Sequence, residues 1–275
     1  MGYKKPITVP EKYLVNAPLP NHGDTYTVVE HKDVIQKVKQ MLYASGFTIT
    51  GEEYKANLDA KVAQGIYYIK PLLSNDSIIL SENELGMMFA WTNSYDKSTA
   101  FKCATGAYVF VCSNGLLRGD MLNYKRKHSG SANMDIGMQI ANQIKNAEKH
   151  YKKIIQDRDN LRNVTLNHKK QCELLGRLYA SEEILDTIQL SCVKAEMKKP
   201  SYDYNCANNN AWSFYNHVTH ALKLTHPRKW VSSQQSFHDF MVADLLSQNN
   251  IISSEISEEN ELVEIPSNQI IMELL

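Results

Sequence analysis

The spacing of apolar positions changes period twice along this chain. "EHKDVIQKVKQMLYASG" sets Val34, Ile35, Val38, Met41 and Leu42 on one helical face, and Gly46 stands where such a helix would stop. Short apolar runs follow, "FTIT", "QGIYYIKPLL", "SIIL" and "LGMMFAW". Gly, Asn and Asp punctuate them, which predicts a meander of antiparallel hairpins. Residues 107–112, "AYVFVC", have no polar break, so this strand should be covered on both faces. Asn114-Gly115 then offers a turn in which positive φ is tolerated.

From Ser131 the helical period returns. Ile140, Ile144, Ala147, Tyr151, Ile154 and Leu161 follow four-three spacing, interrupted by Arg158. This narrow stripe suits one long helix, packed lengthwise over the sheet or paired with a second copy. Ser181-Glu182-Glu183 reads as a helix start and Lys198-Lys199-Pro200 as its end. "CANNNAWSFYNHVTHALK" puts Trp212, Tyr215, Val218 and Leu222 on one side of another helix, and a last one covers roughly 233–246.

The expected fold class is α+β: an antiparallel β-meander with an N-terminal helix, then a long helix and a helical C-terminal half. Residues 1–25, with four of the eight prolines, should be an extended arm. Residues 26–130 form the α+β sheet region and 131–247 the helical region packed on it. The acidic, punctuated stretch 248–275 is expected to be disordered.

Charge adds a feature that the total hides. The chain has 30 Lys and Arg against 30 Asp and Glu, but its last cation is Lys229; residues 1–229 carry +8 and residues 230–275 carry −8. Residues 118–170 alone hold twelve basic groups against five acids. Such a block suits phosphate binding, or is the wet face of a long helix. The acidic tail, with its apolar tip "IIMELL", could bait a partner protein or shield a basic groove; alternatively it is inert or docks back.

Candidate chemistry is sparse. Five cysteines without a C-x-x-C pair fit reduced, mostly buried thiols. His217 and His220 share a helical face, with His226 and Cys206 nearby, but nothing completes a zinc site, so no metal is assigned. There is no G-x-x-x-x-G-K-[ST] or G-x-G-x-x-G, so no nucleotide cofactor is expected. No residue is assigned a catalytic role. Asn93, Ser94, Asp96, Lys97 and Ser98 could orient a phosphate or sugar, but singly each reads as a turn former. No apolar run is long enough to span a membrane, and the N-terminus lacks a signal-peptide h-region, so a cytoplasmic protein is expected.

Four motifs carry a resemblance: Asn93-Ser94-x-Asp96-x-Ser98; Cys112-x-Asn114-Gly115; Lys127-His128-x-Gly130; and Trp212-x-x-Tyr215-Asn216. Together, over about residues 30–225, they resemble an uncharacterised family of phage- and plasmid-borne proteins, a domain of unknown function. Lys97 stands where that family usually has Gly. The resemblance implies a mobile element in a bacterial host cytosol, and no particular activity.

Two functions follow. In the first, Arg118, Lys125, Arg126, Lys127, His128, Lys149, Lys152 and Lys153 bind single-stranded DNA, with Tyr95, Tyr108 and Tyr124 stacking on bases, in annealing, replication or recombination. In the second the chain is a non-enzymatic interaction protein that counters a host defence or regulates a phage complex, the acidic tail being its working surface. Homo-oligomerisation is compatible with either.

Overall fold

A computed structural model describes residues 6–20, 28–118 and 132–246. Six strands form its centre: β1 (Ile7–Val9), β2 (Phe47–Ala56), β3 (Val62–Pro71), β4 (Leu85–Ser94), β5 (Lys102–Val109) and β6 (Gly115–Arg118). They lie side by side in chain order and each neighbouring pair is antiparallel. The meander and the α+β class predicted from the hydrophobic pattern are therefore present.

Helices cover both faces of the sheet. Against one face pack α2 (His31–Ala44), α4 (Ala132–Lys145) and α5 (Ala147–Arg162). Against the other lies α9 (Pro227–Met241), which touches β3, β4, β5 and β6. All ten residues of β4 are consequently buried. Trp91 fills the first face, and it can do so because Gly65 on the neighbouring strand has no side chain: a Cβ there would come within 2.4 Å of the indole. On the second face Ile66, Met88, Ala90, Ala104 and Leu117 meet Trp230 and Val231 of α9. The C-terminal half adds α6 (His168–Ala180), α7 (Thr187–Lys198) and α8 (Ala211–Leu222), and α8 packs against α5, α7 and α9.

Several elements differ from the sequence reading. Within the stretch read as an extended arm, β1 pairs along β2 and the short α1 (Glu11–Val15) buries Leu14. "SIIL" is not a strand. It forms α3 (Ser77–Ser81), because the Asp76 side chain accepts the Ile78 N–H and caps a helical turn. β5 stops at Val109, and Phe110 and Val111 lie exposed in the following turn.

The single long helix is two. Asn146 separates α4 from α5, its side chain donating back to the Asn142 carbonyl at 3.0 Å, a local bond that competes with helical continuity. The stripe itself holds: Ile140, Ile144, Ala147, Tyr151, Ile154 and Leu161 are all buried. Arg158, which interrupts it, faces the β3–β4 connection, 2.7 Å from Glu82 and 3.2 Å from Glu84. Ser181 ends α6 rather than starting a helix. The next start is Asp186, which forms a reciprocal capping box with Gln189. Among the described residues no helix is long and apolar enough to cross a membrane.

Candidate functional site

Asn93, near the end of β4, is fully buried and points inward. Its Nδ2 donates to the Val29 carbonyl at 2.8 Å and to His31 Nδ1 at 2.9 Å. A carboxamide NH₂ can only donate, so His31 accepts at Nδ1 and carries its proton on Nε2, 2.9 Å from the Ala60 carbonyl. The imidazole stacks on Tyr95, with ring centroids 3.9 Å apart. The Tyr95 hydroxyl accepts the His31 backbone N–H at 2.7 Å. Asn93 thus joins β4 to the start of α2.

Beyond it the motif folds onto its own backbone. Ser94 Oγ donates to the Thr99 carbonyl at 2.8 Å, and Asp96 accepts the Ser98 N–H at 2.9 Å. Lys97 has φ +60°, the left-handed region that glycine enters at no steric cost.

The second and fourth motifs meet. Asn114 lies in the β5–β6 turn, where positive φ falls on Ser113 and not on the Asn-Gly pair. The buried Asn114 side chain donates to the Asn216 carbonyl (3.0 Å) and to Asn216 Oδ1 (3.2 Å) on α8. Asn216 in turn donates to the Trp212 carbonyl at 3.0 Å. Trp212 stacks near Tyr215 at 5.5 Å. The Tyr215 hydroxyl meets His238 Nδ1 of α9 at 3.0 Å, and His238 Nε2 lies 3.3 Å from Asp157 of α5. Gly115 makes room for α9: a Cβ there would sit 3.2 Å from the Trp230 ring.

Around this junction lie titratable groups that the sequence did not single out together. Glu196 on α7 accepts both the N–H and the hydroxyl of Ser201. It stands 4.0 Å from His217 Nδ1 and 3.8 Å from His220 Nε2. Burial pushes His217 down to about 4, so it is neutral at pH 7. For Glu196, burial works upward but is outweighed by the Ser201 bonds and the facing imidazoles, which hold its pKa low. Burial also lowers Lys223, whose Nζ donates to the Cys112 carbonyl.

Ser213 Oγ lies 3.1 Å from His217 Nε2, giving a serine, imidazole, carboxylate order. All three side chains are buried, so the arrangement ties α7 to α8 and presents no nucleophile to a substrate. The cleft of about 950 Å³ lies elsewhere, where the β2–β3 turn meets the starts of α7 and α9. Asp59, Glu183, Asp186, Arg228 and Lys229 bring charges of both signs to it. It includes none of the motif residues. Among the described residues no group of three or more His, Cys, Asp and Glu is placed to hold a metal. His226 instead caps α9, accepting the Arg228 N–H at 3.2 Å.

Lys125, Arg126, Lys127 and His128 lie outside the described residues, as does Tyr124. Arg118 ends β6 opposite Thr105. Thr105 Oγ1 meets His150 on α5 at 2.7 Å, and the exposed Lys149 is the next residue. Lys152 is paired with Asp76 (2.8 Å) and Lys153 with Asp157 (3.2 Å). Tyr95 is buried against His31 and cannot stack on a base, while Tyr108 is half-buried beside Tyr68 and Phe110.

This α-covered β-meander, with Asn93, Asn114 and Asn216 turned inward, has a match among protein families. The model of a domain of unknown function, DUF932, covers residues 18–240, and the chain belongs to that family. No curated protein and no solved structure matches it.

Proposed function

We propose that this chain is a phage- or plasmid-borne protein of the bacterial cytosol that binds single-stranded nucleic acid during replication or recombination. One observation carries the reading. At Thr105 the end of β6, which leads into the basic stretch 119–131, meets the start of α5. Arg118 is paired to Thr105 through the backbone, and Lys149 adjoins the His150 that bonds the Thr105 hydroxyl.

Lys145 and Lys149 are exposed and have no acidic partner among the described residues. The Lys152–Asp76 pair lies at the surface, where solvent screens it, and a phosphate can displace it. The −8 charge of residues 230–275 would compete with nucleic acid for the same cations.

Fluorescence anisotropy of labelled single-stranded DNA at two salt concentrations tests this. Replacing Lys125, Arg126 and Lys127 together by Ala should weaken binding and reduce the salt slope by up to about 2, at roughly 0.7 per lost phosphate contact. Unchanged binding in the triple variant removes these residues from the interface. Absence of binding in the parent chain removes the function.

A second reading, a protein-binding module, is favoured by apolar side chains left in solvent at one end of the sheet, Leu73 being 92% exposed. A pull-down with the full chain separates the two.

A further inference from the structure

The β3–β4 connection and the β5–β6 turn project from the same end of the sheet, since β3 and β5 both run toward it and the Phe110 N–H donates to the Glu84 carbonyl at 3.0 Å. Leu72, Leu73, Ile78, Leu80, Phe110 and Val111 stand there between 49% and 92% exposed. Isolated exposed apolar residues are ordinary, but six from two adjoining loops form a patch of the kind that marks a contact surface.

The chain itself carries a segment of matching chemistry. Residues 270–275, "IIMELL", pack five apolar side chains into six positions, whereas the acidic residues 247–269 before them spread six over 23. The last described helix delivers the chain close to the patch. His238 on α9 meets Asp157 of α5, and the adjacent Arg158 bonds Glu84, whose carbonyl holds Phe110. The following Val242–Leu246 turn packs on α5 as well. From Leu246 to Ile270 there are 23 intervening residues. A chain of that length spans on average about 26 Å and at most about 80 Å, enough to reach without strain. Tethering at such a length sets an effective concentration on the order of millimolar, so weak contacts suffice.

We propose that Ile270–Leu275 docks on this patch of its own chain. The docked segment covers Leu73 and Phe110 in the resting protein, and a partner that uses the patch must first displace it.

A photo-activatable cross-linker at position 272 of the full chain tests the idea. Within-chain cross-links should appear in peptides spanning residues 72–80 or 110–111, with a yield independent of protein concentration. Leu73→Ser, at a solvent-exposed site, should lower that yield at least about fivefold with the melting temperature unchanged. In the parent chain, hydrogen exchange in residues 72–80 should be slower than in an Ile271→Asp variant. Cross-links to other regions, or only between chains, would overturn the proposal, as would a yield insensitive to Leu73→Ser. A concentration-dependent yield would mean that a second copy occupies the patch.

Discussion

Asn114 should be among the most costly polar side chains to remove. It is fully buried, and its Nδ2 makes two hydrogen bonds, 3.0 and 3.2 Å, to two acceptors of Asn216. Two such bonds contribute roughly 1 kcal/mol each. Asn114→Ala also leaves the buried Asn216 Oδ1 without its donor, at a further 1–3 kcal/mol or so, whereas the Asn216 carbonyl keeps the Thr219 hydroxyl. The expected loss is about 3 kcal/mol, a drop in melting temperature on the order of 6–12 °C for a chain of this size. Asn114→Asp should cost more, because it sets an acceptor against two acceptors in a fully buried site. Asn216→Ala removes only one of the two contacts, since its backbone carbonyl stays. A double-mutant cycle should therefore return a coupling of about 1 kcal/mol. Urea titration followed by tryptophan fluorescence measures all of this, provided the m-value is constant. A loss under about 1 kcal/mol for Asn114→Ala, or a coupling of zero, would refute the claim that this contact binds the β5–β6 turn to α8.

Other substitutions test other joints. Arg158→Leu should destabilise by about 3 kcal/mol, because the buried Glu82 would keep its charge without the cation that faces it, while Arg162 still serves Glu84, and urea unfolding would register it. Stability should also fall in mild acid. His217 is held near 4 in the folded chain against 6.5 unfolded, so between those values the unfolded chain binds the extra proton. The loss, present in full only below pH 4, amounts to roughly 3 kcal/mol at most. In His217→Gln the change in stability between pH 7 and 4.5 should shrink accordingly. An identical pH profile in that variant would show that His217 titrates normally.

The hydrophobic periods made the sheet legible because β3, β4 and β5 carry long apolar runs and each pairs with its neighbour in sequence. The run "SIIL" was misleading for a physical reason. Four residues are too few to show a period, and the cap on Asp76 decided the outcome. α6 falls within the helical region 131–247, but its bounds went unmarked although Asn167 supplies a cap, its side chain accepting the Lys170 N–H ahead of the Leu174, Leu175 and Leu178 stripe. Arg158 looked like a flaw in a helix face until Glu82 and Glu84 stood opposite it.

The candidate site was less readable. Asn93, Asn114 and Asn216 were noticed as motif members, but short polar residues near Gly invite a turn reading. What makes them structural is a partner far away in sequence: Asn114 and Asn216 are 102 positions apart, and Asn93 and His31 are 62 apart. His31 itself carried no signal beyond being a histidine at a helix start. The grouping of Glu196, His217 and His220 depends on α7 packing on α8, which no local pattern specifies.

The order in which the layers are laid down has a consequence during synthesis. The strands and α2 emerge first, and each hairpin can close on the strand before it. The second face of the sheet, with Met88, Ala90, Ala104 and Leu117, waits for Trp230 and Val231. A nascent chain stalled or truncated before residue 227 would therefore display a bare apolar face on an otherwise paired sheet. Such fragments should be captured by chaperones or aggregate, so a premature stop anywhere upstream of α9 amounts to loss of the whole protein.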